Sequence, residues 1–167
     1  MINLKKGQII SELLKYLLVA VIAVFIMSFG YKMISTLNRQ GCNTEIAKFE
    51  IDLKDFSKNL RFGVKEFQSY DAPCKVDKIY IFDLSKDTNP DDFNDTPIMK
   101  DMLRSGSHNN LFLVKSGELK HSFNAGDFEI ESAYICLKPK FDKISFFMEG
   151  TGKSAKITIQ DDQPRCN

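Results

Sequence analysis

No sign of charge prevails in this chain: 23 lysines and arginines meet 22 acids, for a formal net charge of +1. That balance excludes the broad basic footprint of a nucleic-acid-binding protein. There are only two histidines, His108 and His121, and neither stands beside a serine, cysteine or acid in a nucleophile or zinc arrangement. No C-x-x-C pair, no P-loop and no G-x-G-x-x-G occurs; "EGTGKS" at 149–154 lacks the four residues between glycines that a phosphate cradle needs, and reads as a hairpin turn. No catalytic residue, metal ligand or cofactor is therefore expected, and no enzyme. Five prolines against 43% hydrophobic residues and 14 phenylalanines exclude a disordered chain.

What is present is unevenly distributed. From Tyr16 to Tyr31 every residue is uncharged, and with Leu13, Leu14, Met33 and Ile34 the apolar run reaches the roughly 20 residues that a helix needs to cross a bilayer. Lys15 and Lys32 flank it and can extend outward along their stems. Lys5 and Lys6 favour a cytoplasmic N-terminus, although Lys32 and Arg39 on the far side keep the charge asymmetry small.

All four cysteines, Cys42, Cys74, Cys136 and Cys166, follow that run. Their even number and lack of ligand spacing suit disulfides in an extracytoplasmic domain; four free buried cysteines in a cytosolic domain are the alternative. Three pairings are open. Because Cys74 and Cys136 each adjoin an expected central strand, the pairing expected is Cys74 with Cys136 and Cys42 with Cys166.

Asn43–Leu60 places Ile46, Phe49, Leu53, Phe56 and Leu60 three and four residues apart, one apolar stripe on a helix. Gly41 either ends a first helix, with Asn43 or Thr44 capping a second, or merely loosens a continuous rod. Beyond Gly63 the period becomes two: 78–84, 110–114, 128–137, 143–148 and 155–159 are β-branched and aromatic runs, with turn-like breaks at 115–119, 124–127 and 149–154. Between Leu84 and Asn110 an acidic insertion breaks the pattern. It holds a short helix at about 97–104, with Asp95 or Thr96 as cap, Pro97 in the first turn and Gly106 past the end. Its carboxylates, Asp87 to Asp95, lack the glycine and closing glutamate of a calcium loop and are read as solvated. Asn94-Asp95-Thr96 is a glycosylation sequon weakened by the proline after it. The fold class expected is α+β: a long N-terminal apolar helix followed by a mostly antiparallel sheet.

The residues Lys6-Gly7-Gln8-Ile9-Ile10-Ser11-Glu12 resemble the prepilin cleavage signal of type IV pilin-like proteins, in particular the archaeal class III signal peptide. The resemblance covers roughly the first 40 residues. It implies a leader over 1–7, cut by a prepilin-type peptidase between Gly7 and Gln8. A hydrophobic helix over 8–41 would stay on the mature chain as membrane anchor and polymer core, with an extracytoplasmic domain over 42–167. Counted from Gln8, Glu12 is the fifth residue, where many pilins carry a glutamate that pairs with a neighbouring α-amino group during assembly. Ser11 is fourth, where the archaeal pattern often has its serine third. The implied function is that of a major or minor filament subunit, whose partners are the membrane, the peptidase and like subunits, with no nucleic acid. Two other readings stand beside it: a simple signal anchor whose Glu12 and Lys15 form an i,i+3 pair, and a monomeric anchored module that binds a ligand.

Overall fold

The computed structural model describes residues 3–93, 96–159 and 163–166, with the side chains of residues 3–11, 13, 35, 38 and 39 outside that description. The sequon residues Asn94 and Asp95 also lie outside it. The chain divides into two compact units, Met1–Cys42 and Asn43–Asn167.

One uninterrupted helix, α1, spans Asn3–Asn59. Gly41 does not end it, and Asn43 and Thr44 lie inside it rather than at a cap. Along its C-terminal part Ile46, Phe49 and Leu53 are buried and Phe56 and Leu60 half-buried, so the apolar stripe faces the core as its spacing predicts. Beside Phe123 and His121 the helix is braced by a Lys54–Glu50 ion pair of 2.6 Å one turn apart.

Eight strands follow: β1 (Lys65–Asp71), β2 (Lys78–Phe82), β3 (Leu111–Lys115), β4 (Glu118–Phe123), β5 (Phe128–Glu129), β6 (Tyr134–Leu137), β7 (Lys143–Gly150) and β8 (Ala155–Ile159). They form two four-stranded sheets, ordered β1-β7-β8-β5 and β4-β3-β2-β6, instead of one. Every pairing is antiparallel except β5 with β8. The run at 128–137 is divided between the sheets, β5 in the first and β6 in the second.

Two strands, β1 and β4, carry no clean alternation in the sequence. In β1, Phe67 points outward and Tyr70 inward, three residues apart and on opposite faces. In β4 a bulge opposite Leu113 and Val114 shifts the register. Phe123 and His121 then pair with Leu111 and Leu113, and Leu119 with Val114, so the apolar face changes side within one strand. The β3–β4 turn is accordingly just Ser116 and Gly117, both with positive φ, and Glu118 and Leu119 already belong to the strand.

The central strands β2 and β3 are buried on both faces. One face, with Tyr80, Phe82, Phe112 and Val114, is covered by Phe93 and Met99 from the insertion, whose helix α2 runs Pro97–Arg104 as expected. Thr96 precedes α2 but makes no side-chain cap bond. Ile79, Ile81, Leu111 and Leu113 take the other face by the period of two. In the first sheet, Ile144, Phe146, Met148 and Ile157 form a matching buried face. Helix α1 meets both sheets at their edge strands: the Phe49 ring stands edge-on to Tyr70 of β1 and to Phe123 of β4, with centroids 5.4 and 6.1 Å away. Burial pushes the Tyr70 hydroxyl up to about 12, and the Asp52 carboxylate adds to the shift.

After α1 the chain crosses the end of β7. Gly63 donates to the Gly150 carbonyl at 2.8 Å, and a Cβ on Gly150 would lie 2.3 Å from the Arg61 carbonyl oxygen. Because that oxygen is backbone, Gly150→Ala is expected to lower stability by about 1–3 kcal/mol in a urea titration. An unchanged midpoint would show that the crossing is loose.

Candidate functional site

Two regions could carry function. The first is the apolar segment of α1. Leu14–Ile34 is long and apolar enough to cross a membrane, and none of it is buried in the structure. Leu14, Phe25, Ile26, Met27 and Phe29 are each more than half exposed, which water would penalise and hydrocarbon would not. The Phe25 and Phe29 rings stack one turn apart, at 6.2 Å between centroids. Glu12 is exposed at the mouth of this segment, and among the described residues no ion pair joins it to Lys15. Lys6, Gly7 and Gln8 are helical in backbone, and their side chains lie outside the described residues.

The second region is a cleft of about 1020 Å³ in the β domain, between Ile157 and Ile159 of β8 and Ile130 and Ile135 at the entry to β6. Its floor is organised by Asp83, an acid at the end of the apolar run of β2 and only 2% exposed. Asp83 accepts from the Ser85 N–H and hydroxyl at 3.0 and 2.5 Å and from the Ile130 N–H at 3.3 Å. The Lys86 ammonium stands 3.5 Å away, and it also donates to the carbonyls of Ile130 and Glu131. Burial raises the Asp83 pKa, but these donors outweigh it and hold the carboxyl below its ordinary value. Asp83 thus ties the chain leaving β2 to the link between the two sheets, and its polar atoms are committed to that task. Glu129, on the cleft wall, is likewise engaged by the hydroxyls of Ser154 and Thr151.

The cysteines correct one expectation. Cys136 is bonded to Cys166, so neither Cys74–Cys136 nor Cys42–Cys166 forms. Cys42 and Cys74 are also in disulfide linkage. The cause is the path of the C-terminus, which runs back along β6. Lys138 N–H donates to the Pro164 carbonyl and Cys166 N–H to the Cys136 carbonyl, which brings the two sulfurs together. Gln163, buried beside them, accepts from the Ser145 N–H of β7 and donates to the Lys138 carbonyl, joining the two sheets. A loop of this length is worth about 3–4 kcal/mol in the chain-entropy account.

The histidines are apart. His108 is exposed, with its carbonyl accepting from Asn124, whereas His121 is half-buried and its ring nitrogen lies 3.5 Å from Glu50 of α1. Among the described residues no group of three or more His, Cys, Asp or Glu is placed to hold a metal ion. In the insertion, Asp91 is held by Lys100 and Arg104 of α2, each at 2.8 Å, and the hydrogen bond from Lys100 leads the causes that lower its pKa.

Sequence reasoning passed over Asp83, Gln163 and Phe141. An acid inside an apolar strand run was a legible signal for the first, and an aromatic in the five-residue link 138–142 between two strand runs for the last. Gln163 carried none. The chain matches no protein-family model, no curated protein and no solved structure.

Proposed function

We propose that this chain is a structural subunit, major or minor, of a type IV pilus-like surface filament, held in the membrane by its N-terminal helix before assembly. One observation carries the reading. A single helix, α1, bears an uncovered apolar segment at Leu14–Ile34 and, from Ile46 onward, a stripe buried in a β domain. The uncovered segment needs hydrocarbon or other helices around it, and a filament core supplies the second once the bilayer has supplied the first. Disulfide linkage of all four cysteines supports an extracytoplasmic β domain. The partners are then the membrane, a prepilin-type peptidase acting at Lys6-Gly7-Gln8, and like subunits. No catalytic role is proposed.

The test is the N-terminus of the native protein. Gln8 as first residue is expected; an intact Met1, or a cut after the apolar run, would overturn the reading. Electron microscopy of cell-surface material adds a second check, because a monomeric anchored module gives no filaments that contain this chain.

A further inference from the structure

Strand β1 pairs with β7 along its whole length, and the period of two turns the odd-numbered residues of both strands to the solvent face of the first sheet. Four rows cross that face. Lys65 stands beside Glu149, Phe67 beside Phe147, Ser69 beside Ser145 and Asp71 beside Lys143. The two rings of the second row lie 5.4 Å apart between centroids, with the Lys65 ammonium 4.8 Å over the Phe147 ring. In the third row the Ser145 hydroxyl donates to that of Ser69 at 3.2 Å. Helix α1 packs on the opposite face, against Tyr70, and Phe67 is left 50% exposed in the middle of its strand. Among the described residues, none of the four charged side chains at the ends of this pattern makes an ion pair.

Along the strands the rows run charged, aromatic, hydroxyl, charged, and that order is self-complementary. A two-fold axis lying across the strands, midway between two facing sheets, lays the first row of one copy on the fourth row of the other. Lys65 then meets Asp71 of the second copy, and Glu149 meets its Lys143, so every charge faces an opposite one. The same rotation lays the aromatic row on the serine row, which sets large side chains against small ones. The hydroxyls so covered already bond each other. A two-fold axis along the strands would also match charges, Lys65 on Glu149, but would stack ring on ring and serine on serine, a clash beside a gap.

We propose that this face pairs two copies of the chain through a two-fold contact of β1 and β7. From strand rise and spacing the patch is about 20 Å by 10 Å, well below the roughly 800 Å² per partner of a standard complex. Separate molecules therefore meet on it briefly, whereas chains concentrated in a membrane or filament are held by many such contacts at once. A two-fold contact closes on itself, so it joins chains in pairs and does not propagate. The inference goes beyond the proposed function and depends on the β domain alone, not on leader cleavage or filament growth.

The test is photo-crosslinking of the full-length chain in detergent, with Phe67→p-benzoylphenylalanine as the probe. Ile98→p-benzoylphenylalanine, on exposed Ile98 of α2, is the control. The Phe67 probe is expected to give a covalent dimer in about tenfold higher yield than the control, mapped to β1 of the second copy around Ser69. Lys65→Asp and Asp71→Lys should each lower the yield about fivefold or more, because each sets like charges opposite one another. The double variant restores opposite charges and should return to within about twofold of the native yield. Both positions are exposed, so unfolding midpoints within about 2 °C of native separate a lost contact from a lost fold. Equal yields from the two probes, a crosslink that maps outside β1 and β7, or a double variant no better than the single ones would overturn the proposal. Recovery by Lys65→Glu with Glu149→Lys would instead assign the ring-on-ring register, and would overturn it as well. The N-terminus of the native protein is read separately, so an intact Met1 leaves this contact standing and a missing dimer leaves the filament reading standing.

Discussion

Asp83→Ala is expected to destabilise the β domain by about 2–4 kcal/mol, a fall of about 5–15 °C in midpoint. The loss comes from the donors left behind. The N–H groups of Ser85 and Ile130 both point at the missing carboxylate, and Ile130 is buried where water reaches it poorly. The Lys86 ammonium is 41% exposed and can turn to solvent, so it adds less. Asp83→Asn should cost less, since one acceptor oxygen remains. The same carboxylate sets a pH dependence. Its pKa is lower folded than unfolded, so in acid the unfolded state binds more protons and stability rises with pH. The contribution is complete above about pH 5 and is lost as pH falls through about 4 and below. Denaturant titrations between pH 3 and pH 7 should therefore show a steeper acid loss for the native chain than for Asp83→Asn. Parallel curves would remove Asp83 from the account.

Glu12→Ala is expected to be processed and inserted normally yet to enter filaments poorly, by roughly tenfold or more, the factor that corresponds to about 1.4 kcal/mol of subunit contact. The carboxylate is exposed next to a segment that needs an apolar surrounding, a position where an acid is costly and is kept for a partner. In the proposed assembly that partner is the α-amino group of a neighbouring Gln8, and the low dielectric of a helix bundle strengthens the pair. Gly7 should show the reverse dependence, with cleavage lost before assembly is reached. Immunoblots of membrane and sheared surface fractions separate the two. Filaments of Glu12→Ala at the native level would leave the glutamate without an assembly role, and a processing defect in the same variant would assign it to the peptidase.

By itself the sequence determined the features that depend on near neighbours along the chain. The apolar span at Leu14–Ile34, the stripe from Ile46 to Leu60, helix α2 behind Pro97 and the runs that became β2, β3, β7 and β8 are all written in residue spacing, because a helix or a strand repeats over a few residues. Tertiary structure alone decided what depends on which distant segments meet. The Cys136–Cys166 bond follows from the C-terminus returning along β6, a path with no local signature. The split into two sheets turns on the short link at Ile130–Ala133, pinned by Asp83 just past the end of β2. In β4 a bulge moves the apolar face partway along, and in β1 the outward face carries Phe67 while the inward face carries Gln68 beside Tyr70, so neither shows the alternation that a half-buried strand otherwise has.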